Sequence, residues 1–139
     1  MQTDLNAGQS LVNYVGHGSD EIWDGLLSSE EVAGLTNGNA TPFVLSMTCL
    51  NGYFQDVYSY ALAKALLTAP DGGAVAVWAS SGLTDASPAS NINQAMITAL
   101  YGASGTTIGQ AAKAAKSATT DMDVRHTWIL FGDPAMKLQ

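Results

Sequence analysis

The chain has 139 residues, of which 47% are hydrophobic and 12% charged, with a net charge of -7. That length and composition suit one globular domain with one core, and the acidic balance argues against a nucleic-acid partner, which needs a basic face. A single cysteine excludes an internal disulfide, and with only His17 and His126 beside it a multi-ligand metal site is not expected.

The first β-rich run is Leu11 to Val15, ended by Gly16 and Gly18. Ser28, with Glu31 three residues on, forms a capping box that opens a short helix, broken by Gly34 and Thr36-Asn37-Gly38-Asn39. Pro42 leads into Phe43-Val44-Leu45-Ser46-Met47, apolar nearly throughout, as expected of a central strand covered on both faces. A second helix is predicted from an Asp56 cap through Leu67, with Val57, Tyr60, Ala61 and Ala65 on one face, stopped by Pro70-Asp71-Gly72-Gly73. Ala74 to Ala79 reads as a third buried strand, followed by Ser80-Ser81-Gly82. Ser87-Pro88 marks the start of a helix to about Tyr101, with Ile92, Met96, Ala99 and Leu100 inward. An alanine-rich helix spans Thr107 to Ala118, and a fourth strand spans Thr127 to Phe131 before the turn Gly132-Asp133-Pro134. Strands alternating with helices predict an α/β fold, a three-layer sandwich around a mostly parallel sheet. No apolar run approaches the ~18 residues of a bilayer span. The segment Met1-Gln2-Thr3-Asp4 lacks the basic start and apolar stretch of a signal peptide.

Parallel strands put their chemistry at their carboxyl ends. His17 and Cys49 each follow one of the first two long runs, so neighbouring strands would bring imidazole and thiol to one edge. As a pair they suit acyl transfer: the thiolate is the nucleophile, and an adjacent imidazolium favours it. Each also has an ordinary structural reading. Cys49 fits a small buried hydrophobe, and His17 a histidine in a tight glycine-flanked loop. The turn Leu50-Asn51-Gly52 and the Gly18 N–H offer donors for a developing oxyanion. Trp23 fits the core or the cleft wall. Ser80 and Ser81 would either contact substrate backbone or cap a loop. An all-parallel sheet places His126 at the opposite edge, as a structural residue, and Asp133 at the carboxyl edge in what is also an ordinary turn. A nucleotide-binding doubly wound domain is the weaker reading, because no Gly-x-Gly-x-x-Gly follows the first strand and no P-loop lysine is present.

Five segments in order resemble gingipain-type cysteine peptidases of the caspase-like clan. They are Tyr14-Val15-Gly16-His17-Gly18-Ser19 with Trp23; Ser46-Met47-Thr48-Cys49-Leu50-Asn51-Gly52-Tyr53-Phe54; Ala61 to Leu67; Gly73 to Ser80; and Thr127 to Met136. The resemblance implies a caspase-haemoglobinase fold and endopeptidase chemistry without a cofactor. It implies a catalytic dyad of His17 and Cys49, and an oxyanion hole from the Gly18 and Cys49 amides. In that clan the histidine protonates the leaving amine while the thiolate attacks separately. Substrate contacts at Trp23, Ser80 and Ser81 complete the expected site.

Only about ten residues precede the histidine strand, too few for a βαβ unit. Residues 1–139 are therefore expected to be one gingipain-like catalytic subdomain from a larger secreted or cell-surface protein. Its exposed first strand would pair with an upstream segment or in a homodimer. The alternative is a truncated or inactive caspase-like scaffold that binds a protein partner or self-associates.

Overall fold

The structure is a computed structural model that describes residues 1–102 and 104–138. Four strands form the main sheet: β1 (Leu11–Val15), β4 (Phe43–Met47), β5 (Ala76–Ser80) and β6 (Trp128–Phe131), in the order β1-β4-β5-β6. β1 and β5 both run parallel to β4, which pairs Val15 with Met47 and Ser46 with Ala79. A small antiparallel hairpin of β2 (Ile22–Trp23) and β3 (Leu27–Ser28) lies between β1 and β4 in sequence. Among the described residues there are six helices: α1 (Gln2–Asn6), α2 (Ser29–Val32), α3 (Leu62–Thr68), α4 (Ala86–Gly102), α5 (Ile108–Ser117) and α6 (Met122–Thr127).

The side-chain alternation of strands divides the core into two halves. Val44, Val77 and Ala79 point to one side, where Leu5 of α1, Val32 of α2 and Leu62, Ala63, Ala65 and Leu66 of α3 cover them. Phe43, Leu45, Ala76 and Trp78 point to the other, against Ile92 and Met96 of α4, Ala111 and Ala115 of α5 and Val124 of α6. Every residue of β4 and β5 is buried. This is the expected three-layer α/β sandwich with a mostly parallel sheet.

The direction of β6 departs from the sequence-based expectation. It pairs antiparallel to β5, Ser80 opposite Trp128 and Val77 opposite Phe131. A lone antiparallel edge strand on a parallel sheet is common. Here α6 runs directly into β6 and delivers the chain at the carboxyl end of β5, where Ser81 N–H donates to Thr127 O (2.8 Å). The two ends of β6 therefore swap their expected places: His126 lies at the carboxyl edge of the sheet and Asp133 at the amino edge.

Helix starts also shift. Ser28 makes both halves of its capping box with Glu31, as predicted. Asp56 caps no helix; its carboxylate accepts from Tyr58 N–H (2.9 Å) and Ser59 Oγ (3.1 Å), closing a local turn that competes with helix. α3 begins at Leu62, where the N–H groups of Leu62 and Ala63 donate to Asp20 O (2.7 Å) and Asn51 O (3.0 Å). Val57 and Tyr60 are consequently exposed. α4 starts just before Ser87, with Ala89 N–H donating to Asp85 O (3.2 Å), so Pro88 sits in the first turn where it needs no donor.

Phe43, the first residue of the inner strand β4, is fully buried, and Tyr58 is 97% exposed. Phe43→Ala is expected to cost about 3–5 kcal/mol of folding free energy, whereas Tyr58→Ala changes it by less than about 0.5 kcal/mol; urea midpoints compare the two.

Candidate active site

Parallel pairing of β1 with β4 carries both chain exits to one rim of the sheet. Beyond Val15 and Met47 a last backbone bond, Gly16 N–H to Met47 O (3.5 Å), joins the two exits before they part. His17 and Cys49 both line one cleft of about 390 Å³ at this rim. Val15, Met47, Ala86 and Ala89 form apolar wall, and Thr48, Asp85, Ser90 and Asn93 add polar groups. The imidazole is exposed and the thiol partly so. Cys49 Sγ donates to Thr84 O at 3.7 Å.

The histidine loop is held from below. Tyr14 OH donates to His17 O (2.6 Å), and Asp24 N–H donates to the same carbonyl (3.0 Å). Gly16 and Gly18 keep negative φ; they are needed for close approach of the chain to itself. A Cβ at Gly16 would lie 2.6 Å from the Tyr14 hydroxyl oxygen, and one at Gly18 would lie 2.5 Å from Ile22 O and 2.9 Å from Thr48 Oγ1. Among the described residues, neither the Gly18 nor the Cys49 N–H donates to an acceptor in the chain, which leaves both amides free for an oxyanion.

The turn after Cys49 is tight. Asn51 N–H donates back to Cys49 O (2.8 Å), and the intervening Leu50 has φ 61°. Leu50 is the one non-glycine in this left-handed region among the described residues, a local strain that surrounding contacts must hold. Leu50 N–H to Gly82 O (3.1 Å) and Gly52 N–H to Ser80 O (2.8 Å) brace it against the loop after β5.

Other predicted site residues take structural roles. Trp23 is 1% exposed, stacks on Tyr14 (4.6 Å between rings) and donates through Nε1 to Ser46 Oγ (2.8 Å). It supports the histidine loop from within the core, because its ring faces the helical layer and not the cleft. Ser80 is fully buried and exchanges hydrogen bonds with Gly82. Ser81 Oγ donates to Thr127 O (3.0 Å). Ser80 is thus bonded within its own loop, and Ser81 to the end of α6. His126, although on the same rim, does not line the cleft.

Three polar residues at the site were not singled out from sequence. Thr48 Oγ1 and Asn93 Oδ1 are buried at the cleft with no partner among the described residues, which leaves them open to water or substrate. Asn51 is fully buried. Its Oδ1 accepts from Ser46 Oγ (2.6 Å), and its Nδ2 donates to Ser19 O and to Ile22 O (3.2 Å). The sequence signals only a turn at Leu50-Asn51-Gly52; which side chain of a turn points inward is a tertiary matter.

An exposed imidazole and a thiol on one rim of an α/β sheet, beside two free amides, is the layout of a cysteine-peptidase-type site. The chain belongs to peptidase family C25, whose model matches residues 1–139. It is 33% identical to gingipain R2 and to gingipain R1 of Porphyromonas gingivalis, in each case over 95% of this chain but only 20% and 15% of the relative. Among solved structures it matches the Arg-specific cysteine proteinase gingipain R (RgpB) with a TM-score of 0.88 and 30% identity, over 96% of this chain and 34% of that one. The complex of the Porphyromonas gingivalis RgpB pro- and mature domains matches equally well, with a TM-score of 0.88 and 27% identity over 99% of this chain and 36% of that one. The chain thus spans about a fifth of the length of the curated gingipain R2.

Burial lifts the Tyr14 hydroxyl above the usual phenol value; a backbone hydrogen bond at Asp24 pulls against this and the Asp24 carboxylate adds to it. A raised folded value means that the Tyr14 contribution is whole below about pH 10 and is lost as pH rises through the folded value. Tyr14→Phe should therefore cost about 1 kcal/mol at neutral pH. The gap between the two proteins should narrow above about pH 10. Urea unfolding across that range checks both statements.

Proposed function

We propose that this chain carries the catalytic dyad of a cysteine endopeptidase, with Cys49 as nucleophile and His17 as the proton-handling group. The observation that carries the reading is that both side chains line one cleft at the carboxyl edge of a sheet similar to that of RgpB.

The chemistry follows from the geometry. The Cys49 thiolate attacks the carbonyl carbon of a peptide bond. The carbonyl π electrons move to oxygen, and the free N–H groups of Gly18 and Cys49 stabilise that oxyanion. Collapse breaks the C–N bond as His17 delivers a proton to the departing amine, leaving a thioester on Cys49. Water then adds to the thioester while His17 accepts its proton. Loss of the thiolate releases the acid and restores the enzyme. No step calls for a metal or cofactor. The thiol and imidazole need not bond each other in the empty site, because the two act on opposite sides of the scissile bond.

The substrate class is peptide or protein. RgpB is Arg-specific by name; the side-chain preference here is set by the whole cleft, to which Asp85, Ser90 and Asn93 contribute. We read residues 1–139 as one catalytic subdomain of a larger protein, a reading supported by the 34% share of the RgpB chain that it covers. Strand β1 lies at a sheet edge with its outer side unpaired among the described residues, and Val15 is 67% exposed. Such an edge suits a further strand from the same protein or a second copy. A secreted or cell-surface location belongs to the same family-based reading. No helix among the described residues is long and apolar enough to cross a membrane.

Cys49→Ala and His17→Ala should each lower peptide hydrolysis by roughly a thousandfold or more. Iodoacetamide should alkylate Cys49 of the wild type faster at neutral pH than Cys49 of His17→Ala. A wild-type thiol of ordinary reactivity with no hydrolysis, even after an upstream segment is supplied, would favour the non-enzymatic scaffold.

A further inference from the structure

Beyond the strand ends, the histidine and cysteine loops part, and the relation of His17 to Cys49 must be held by contacts between the loops. The bonds that do this form a closed circuit. Trp23 Nε1 donates to Ser46 Oγ (2.8 Å), Ser46 Oγ donates to Asn51 Oδ1 (2.6 Å), and Asn51 Nδ2 donates to Ser19 O and to Ile22 O (3.2 Å). The circuit leaves the histidine loop at Trp23, passes through the strand behind the nucleophile, and returns to the histidine loop through Asn51. Its three polar side-chain residues are buried: Trp23 at 1%, Ser46 at 1% and Asn51 at 0% exposure.

The chemistry of each position is determined. Trp Nε1 only donates, so Ser46 Oγ accepts from it and turns its own hydrogen to Asn51. Asn51 must then accept on one atom and donate twice from the other, which only a carboxamide does. An aspartate would keep the acceptor and lose both donors; an alanine would lose all three bonds. A turn needing only local stability would satisfy its amide within the turn. Asn51 instead spends its side chain on two carbonyls flanking the histidine loop. The same residue closes the turn over Leu50, whose positive φ is the strain next to the nucleophile.

We infer that Asn51 is a positioning residue for catalysis, its buried carboxamide locking the strained turn after Cys49 to the loop that carries His17. This rests on the dyad reading above. Asn51 touches no substrate; it acts through the two residues that do. Preorganisation of this kind is what a displacement on the order of 1 Å destroys, at a cost that reaches about a hundredfold in rate.

The test compares wild type, Asn51→Asp, Asn51→Ala, Ser46→Ala, His17→Ala and the double variant His17→Ala/Asn51→Ala. Three readouts are used: circular dichroism for folding, the pH profile of Cys49 alkylation by iodoacetamide, and the His17 ring Hε1 line in proton NMR. In folded Asn51→Asp and Asn51→Ala, alkylation at neutral pH should fall on the order of tenfold or more, with the profile moving toward that of His17→Ala. Asn51→Ala should add little in the His17→Ala background, because the two act as a unit. The His17 line should broaden or shift in both Asn51 variants. A wild-type profile and an unchanged His17 line in Asn51→Asp, or a full additional loss in the double variant, would overturn the inference. If the Asn51 variants do not fold, Ser46→Ala decides by the same two readouts: a smaller shift in the same direction supports, and no shift refutes. If wild type and His17→Ala alkylate alike, the dyad reading itself fails, and the His17 line alone then decides whether Asn51 holds the loop.

Discussion

A parallel pair of strands in a defined register underlies everything at this site. Five consecutive residues of β1 lie against five of β4, from Leu11 opposite Phe43 to Val15 opposite Met47. A slip of one residue would turn Val44 and Leu45 to the wrong faces and move the two helical layers off their partners. The same register sets where the backbone leaves the sheet, and therefore where an imidazole and a thiol emerge. Core packing and the placement of His17 and Cys49 are thus one constraint, imposed largely by apolar side chains.

Above the register, the site depends on polar groups placed where polar groups are costly. Tyr14, Trp23, Ser46 and Asn51 all sit within the core or at its lid, and each finds a partner. A buried amide or hydroxyl without a partner costs more than the bond it forms is worth, so such a network holds one arrangement firmly or fails. The strained turn at Leu50 sits next to this network and not on a free surface. Glycines at 16 and 18 serve the same end, since a methyl at either would strike Tyr14, Ile22 or Thr48.

The match to RgpB, with a TM-score of 0.88 and 30% identity, takes in 96% of this chain and 34% of that one. What the chain contains by itself is the sheet, its two helical layers and the rim that bears His17 and Cys49. Among the described residues the outer side of β1 is unpaired. The sheet and its two helical layers give that rim a rigid support.

Local patterning alone determined much of this protein. The central strands announce themselves as short, nearly apolar runs; Ser28 with Glu31 marks a helix start; and the glycines flanking His17 and the Leu50-Asn51-Gly52 turn after Cys49 mark the strand exits at which chemistry collects. These features are set by residues within a few positions of each other, so one sequence carries them. Other outcomes came from partners distant along the chain. β6 runs antiparallel because α6 delivers it at the carboxyl end of β5, and that alone exchanged the places of His126 and Asp133. The helix expected from Asp56 begins only at Leu62 because Asp20 and Asn51 carbonyls accept its first amides. Trp23 turned inward to Ser46, Ser80 bonded its own loop and Ser81 the end of α6, and Asn51 proved to be a bridge, not merely a turn residue. Hydrogen-bond partners of buried polar groups are assigned by three-dimensional proximity, and periodicity carries no trace of them.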